Sequence, residues 1–233
     1  MAINTGSFAK ALWPGVNSWY GQAYDEHGVE YTDLFNTESS RKAYEEDMGT
    51  SMFGLAAVKP EGGQITYDTA QQGFLTRYTH VTYGLGFIIT REMVDDDLYD
   101  IIGKKRAQGL EFSMRKTKEI IAANVYNNAF DSTYSGGDGK ELLATDHPTI
   151  MGAASLSEAS LEDLSIDIMQ AKNDRGLNIS LIPDCLIINP ELVYEADRIL
   201  NSPLRVGTAN NDLNALRNMG KFPGGVKVNH YLT

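Results

Sequence analysis

Thr50-Ser51-Met52-Phe53-Gly54-Leu55-Ala56-Ala57-Val58 and Phe74-Leu75-Thr76-Arg77-Tyr78-Thr79-His80-Val81-Thr82-Tyr83 decide how this chain folds. Both read as extended runs. Between them lie the turn cluster Lys59-Pro60-Glu61-Gly62-Gly63 and a short Gln64-Ile65-Thr66-Tyr67 segment. Together they predict a long two-stranded arm. In the second run Phe74, Thr76, Tyr78, His80 and Thr82 share one side, while Leu75, Arg77, Thr79, Val81 and Tyr83 share the other. Each side mixes apolar and polar groups, so neither is the face of a core within the chain. A two-stranded ribbon is marginally stable alone in water. The arm is therefore expected to pack on other copies of the chain, through Phe53, Leu55, Ile65, Tyr67, Phe74 and Tyr78.

On the N-terminal side, Ser7 can cap a short helix through Trp13, which Pro14-Gly15 breaks. A second helix places Val16, Trp19, Tyr20 and Ala23 on one stripe. Short isolated helices need something to bury such rings against. Docking on the same subunit and clamping a neighbour both fit Trp13, Trp19 and Tyr20. A further short helix is predicted over 40–48, ending at Gly49.

On the C-terminal side, Gly84-Leu85-Gly86-Phe87-Ile88-Ile89-Thr90 reads as a strand end leading into a long helix that runs to about Phe130. Thr90 is a good N-cap, and Glu92, Asp95, Asp96 and Asp97 complement the positive helix N-terminus. Leu98, Ile101 and Ile102 form one apolar patch, and Leu110, Met114, Ile121 and Val125 another. Leu98 and Leu110 are separated by about 120° around a straight helix. The reading is a helix covered by different partners along its length, with a bend between Gly103 and Gly109 as the other solution.

A Gly/Ser-rich loop over 131–140 follows. From Ser157 the pattern becomes an α/β alternation. Leu161, Leu164, Ile168 and Ala171 define an amphipathic helix ending at Gly176. Residues 181–188 read as a strand, and Pro190 starts a helix through Leu200 with Asn189 as N-cap. Leu213 and Leu216 suggest one more helical turn. Residues 226–232 read as a strand whose sheet neighbours should follow, so further chain is expected beyond Thr233.

A chain of 233 residues buries roughly 70–75% of its unfolded surface, enough for one large domain or two small ones. The formal charge of −11 argues against gripping phosphate backbones, because nucleic-acid binders carry basic stripes. Lys104-Lys105-Arg106 with Arg115, Lys116 and Lys118 alternate with apolar residues at helical spacing, so they read as a solvated helix face. An acidic protein can still enclose DNA and let it slide. No apolar run approaches a membrane span, and the N-terminus lacks a basic-then-apolar signal. The single Cys185 reads as a buried, inert thiol. These facts suit a cytosolic protein.

Chemistry is sparse. Asp95, Asp96 and Asp97 point about 100° apart on a helix and cannot converge on one ion. Asp146-His147 lacks a nucleophile held in reach and reads as a structural turn. Neither a phosphate loop nor a zinc motif occurs. No catalytic, metal or cofactor residues are assigned, and the chain is expected not to be an enzyme.

The order of motifs resembles the major capsid (major head) proteins of tailed bacteriophages, most closely the Mu-type head subunits. The stretches that carry the resemblance are Trp19-Tyr20-Gly21-Gln22-Ala23-Tyr24, Tyr31-Thr32-Asp33-Leu34-Phe35 and Gly86-Phe87-Ile88-Ile89-Thr90-Arg91-Glu92-Met93-Val94-Asp95-Asp96-Asp97. Ala144-Thr145-Asp146-His147-Pro148 and Ile182-Pro183-Asp184-Cys185-Leu186-Ile187-Ile188-Asn189-Pro190 add to them. The resemblance implies an α+β Johnson fold. Residues 1–44 would be an N-terminal arm and 45–89 the extended loop. Residues 90–156 would be the peripheral domain with its spine helix, 157–225 the axial domain, and 226–233 a strand returning to the peripheral domain. It further implies hexamers and pentamers in an icosahedral shell around double-stranded DNA, assembled in the host cytoplasm. Scaffolding and portal proteins, and a decoration protein, are the implied partners. Two other readings stand beside it, an encapsulin-like nanocompartment shell and a soluble hydrolase using Asp146 and His147.

Overall fold

The computed structural model describes residues 20, 28–92, 96, 99–147, 150, 152, 154–205 and 212–233. Trp13, Trp19, the two N-terminal helices, Asp95 and Asp97 lie outside them. The chain separates into two compact units. One holds residues 1–37 and 81–124, the other residues 38–80 and 125–233.

In the first unit, helix α1 (Tyr31–Leu34) is a single turn without a side-chain cap of its own. The cap comes from a distant residue. Glu119 accepts from the backbone N–H of Tyr31 at 2.9 Å and of Glu30 at 3.2 Å, and it is buried. A carboxylate thus satisfies two N–H groups that a helix start leaves open.

Glu119 belongs to helix α2 (Tyr99–Asn127), 29 residues long and continuous through Gly103 and Gly109. Among the described residues no helix is long and apolar enough to cross a membrane. The buried positions of α2 are Gly103, Ala107, Glu111, Arg115, Glu119 and Ala123, one every four residues. A spacing of four overshoots the helical repeat, so this stripe turns through about 200° along the helix. It is built of small and charged side chains. The apolar residues expected to be covered differ from it. Leu110 and Met114 are half-buried, while Ile121 and Val125 are exposed.

The second unit contains a ribbon and an α/β part. The ribbon pairs β1 (Tyr44–Thr50) with β2 (Gln72–Thr79), antiparallel, from Tyr44↔Thr79 to Thr50↔Gln72, with an irregularity between Met48 and Thr50. Residues 40–48 therefore do not form the expected helix. Local signals favoured one, but Glu46 meets Arg77 across the ladder, and that non-local pairing decides. The ladder also begins earlier than the predicted run from Thr50, and residues 51–71 carry no strand pairing.

In the α/β part, Ser157 caps helix α3 (Glu158–Met169). Its hydroxyl accepts from Ser160 N–H at 3.2 Å, and Ser160 Oγ accepts from Ser157 N–H at 2.9 Å, a reciprocal capping box. The helix stops at Met169 instead of Gly176. Ala171 remains buried, and Gly176 serves a later turn at φ +77°. Strand β3 is shorter than expected, Cys185–Ile188, and Cys185 is half-buried. Pro190 opens a 3-10 turn (Pro190–Leu192) that leads into α4 (Val193–Asn201). Asn189 has the extended backbone of a cap but makes no side-chain cap bond.

Helix α5 (Ala215–Met219) is capped by Asn214, which accepts from Arg217 N–H at 3.1 Å and donates to the Ile199 carbonyl. Gly220 closes it in the left-handed conformation, φ +57°. Strand β4 (Gly225–Val228) then pairs in parallel with β3, from Cys185↔Gly225 to Ile188↔Val228. The strand predicted to reach Leu232 ends there. Beyond it, Asn127 at the end of α2 donates to the Tyr231 carbonyl at 2.9 Å and accepts from Thr233 N–H at 3.0 Å. Leu161, Ile199 and Leu216 form the core of this part, with Leu156, Leu186, Leu200 and Phe222 packed around it.

Candidate subunit interface

The ribbon's ladder fixes which side chains share a face. Tyr44, Glu46 and Met48 lie opposite Thr79, Arg77 and Leu75 on one face, and Glu45 and Asp47 lie opposite Tyr78 and Thr76 on the other. Arg77 donates from Nε to Glu46 at 2.8 Å and lies 4.3 Å over the Tyr44 ring, the diagonal neighbour on the same face. Glycines let the two strands approach at the irregularity, where a Cβ on Gly73 would stand 3.1 Å from the Gly49 carbonyl oxygen.

On the ladder and beyond it, large apolar side chains of the arm are exposed in the single subunit. Leu55 is 84% exposed and Tyr67 89%, and Phe53, Ile65, Phe74 and Tyr78 are exposed as well. Six of the nine residues singled out from sequence thus lie on one continuous arm. Tyr20 is half-buried, and Trp13 and Trp19 lie outside the described residues. Sequence reasoning did not single out Met52 and Val58, also exposed on the arm; their place in the extended run was the available signal.

The loop after α2 carries a His–carboxylate ion pair, and the partner of His147 is not the adjacent aspartate. His147 Nε2 lies 2.9 Å from Asp138, and Nδ1 lies 2.9 Å from the Leu142 carbonyl. Asp146 instead pairs with Lys140. Both partners of the imidazole are acceptors, so both bonds form together only when both ring nitrogens carry protons. The Asp138 bond, then the Leu142 carbonyl, raises the His147 pKa above 6.5, and the same bond lowers that of Asp138. With both nitrogens engaged, the ring has none left to activate a nucleophile. The pair closes a loop held further by Gly136 N–H to the Lys140 carbonyl at 2.7 Å. Gly137 sits against β2, where a Cβ would collide with Thr76 Oγ1. No group of three or more potential metal ligands comes together among the described residues.

Comparison with known proteins points to a capsid protein family. A family model described as phage capsid protein matches residues 74–233, more than half of the chain. The chain also superposes over its whole length on the whole of a solved chain from the capsid of bacteriophage JBD30 decorated with minor capsid protein trimers. The TM-score is 0.61 at 12% identity, a likeness of fold. None of the curated proteins matches it in sequence.

Proposed function

Since the chain belongs to the phage capsid protein family, with the structural role that membership carries, we propose that it is the major head subunit of a tailed bacteriophage of the Mu type. In this reading its copies form hexamers and pentamers of an icosahedral shell around double-stranded DNA, assembled in the host cytoplasm. The observation that carries the reading is the arm, a two-stranded ribbon whose large apolar residues are bare in the single subunit. An arm laid over a neighbour buries both faces there, and in a ring every subunit does this to the next, a heterologous contact that closes. Each contact can be modest because many act together.

The proposed layout is the Johnson fold, with 1–44 as N-terminal arm, 45–89 as extended loop and 90–156 as the peripheral domain. Residues 157–225 form the axial domain and 226–233 return to the peripheral domain. Trp13, Trp19 and Tyr20 join the arm residues in subunit contacts. The charge of −11 supports enclosing DNA without holding it. The JBD30 capsid carries minor capsid protein trimers, and a decoration protein of that kind, with scaffold and portal proteins, belongs to the proposal.

The test is to express the chain with any scaffold protein, size the product by light scattering and image it by electron microscopy. Icosahedral shells, tubes or six-fold rings support the reading, and a strictly monomeric product overturns it. DNA and a portal vertex in the particles distinguish a phage head from a cellular compartment.

A further inference from the structure

We propose that Arg175 is a positioning residue that fixes the direction of the arm at its root and thereby the curvature of the shell; this rests on the assembly reading above. The turn that follows α3 presents it. Asn173 Oδ1 accepts from the N–H of Arg175 at 3.0 Å and of Leu177 at 2.8 Å, and Gly176 takes a left-handed backbone at φ +77°. From that turn Arg175 Nε donates to the Met52 carbonyl at 3.1 Å and Nη2 to the Thr69 carbonyl at 2.9 Å. Nη2 also lies 3.7 Å from the Asp68 carboxylate. The neighbouring Asp174 accepts from Met52 N–H at 3.4 Å.

Met52 and Thr69 lie on opposite rails of the arm, just past the last ladder pair Thr50↔Gln72. Two further bonds close the same level. Gln71 N–H donates to Ser51 Oγ at 2.7 Å, and Asp68 accepts from Gly54 N–H and Thr69 N–H at 2.8 Å each. The guanidinium thus bridges both rails where strand pairing stops, and its planar fork reaches two carbonyls and a carboxylate together. A lysine ammonium, a single point of donation, does not reproduce that geometry.

The consequence is mechanical. Residues 55–60 carry no ladder before the turn at 61–62, and six extended residues would span roughly 20 Å. A tilt of about 10° at the root would displace such a tip by about 3.5 Å, comparable to the spacing of neighbouring strands. A neighbour seated on the tip would be rotated accordingly. The arm's apolar residues supply adhesion, while Arg175 supplies the angle at which adhesion occurs.

Arg175→Ala and Arg175→Lys test this in two states. In the unassembled subunit, hydrogen exchange followed by mass spectrometry reads the amides of Met52, Gly54 and Thr69. Loss of charge-assisted bonds predicts exchange faster by about tenfold in Arg175→Ala, with Arg175→Lys between it and the wild type. In assembled material, electron microscopy should show one shell diameter for the wild type and mixed diameters or open sheets for Arg175→Ala. Unchanged exchange overturns the clamp. Faster exchange with the wild-type diameter distribution overturns its role in curvature. If circular dichroism shows Arg175→Ala unfolded, Arg175→Lys alone is read by the same two criteria. A wild-type chain that forms no assembly overturns the shell reading and the curvature role with it, while the exchange data still decide the clamp.

Discussion

Glu46 stands directly opposite Arg77 across the arm's ladder, with Arg77 Nη2 2.6 Å from its carboxylate oxygen. The two side chains are 35% and 57% exposed, so water screens the pair and its contribution is below about 1 kcal/mol. Its role is to select register, since a slip by one residue would turn every side chain of the ribbon to the other face. Glu46→Arg alone should therefore loosen the ladder by placing like charges opposite each other, and Glu46→Arg with Arg77→Glu should restore it. Hydrogen exchange of the β1 amides reads both; equal protection in all three proteins would contradict the register role.

Glu119 predicts a larger effect because it is buried and accepts two backbone N–H bonds. Glu119→Ala should destabilise the subunit by about 1–3 kcal/mol, since two partly buried donors at the start of α1 lose their partner. Glu119→Gln, which keeps an acceptor, should lose less. Urea denaturation of the three proteins orders them, and a neutral Glu119→Ala would refute the capping role.

Gly137 has no room for a side chain, because a Cβ would meet Thr76 Oγ1 and lie 3.2 Å from Thr76 Cβ. Gly137→Ala should cost about 1–3 kcal/mol through overpacking. Thr76→Ala should recover part of that loss, a coupling visible in a double-mutant cycle. Additive effects would mean that the loop does not press on β2.

His147 gives the loop after α2 a pH dependence. Its folded pKa is raised above the ordinary 6.5, by Asp138 first and the Leu142 carbonyl second, against opposition from Lys140. The stabilisation is thus fully present below pH 6.5 and is lost as pH rises through the raised folded value. The Asp138 contribution has the reverse sign, present above its ordinary 3.8 and lost as pH falls through its lowered value. Titration of the His147 ring by NMR should give a value above 6.5 in the wild type and a lower one in Asp138→Asn. An unshifted value in the wild type would contradict the pairing.

Local chemistry was legible in the sequence where it was self-contained. The change of pattern at Ser157, Pro190 at a helix start and Leu161 on the buried stripe of α3 needed only neighbours within a turn or two. The failures share a different cause. The expected helix over 40–48 became β1 because its partner lies some thirty residues away in β2. Asp146 and His147 do lie in a turn as expected, but the partner of His147 is the non-adjacent Asp138, because the glycine-rich loop folds back on itself. In α2, Ile121 and Val125 read as a patch covered by a partner and are exposed in the single subunit, while the buried stripe runs through Glu111, Arg115 and Glu119. Periodicity counts apolar residues; it does not say whether their cover belongs to the same chain. The arm was legible for the same reason in reverse, since its mixed faces already pointed outside the subunit.

The central claim, that the arm's bare apolar residues drive assembly, is tested most directly by electron microscopy of the wild type beside Leu55→Asp and Tyr67→Asp. Both residues are more than four-fifths exposed, so neither substitution disturbs the packing of the subunit. The account predicts closed shells or rings from the wild type, and soluble, folded subunits without shells from both variants. Shells of normal yield from both variants would contradict it.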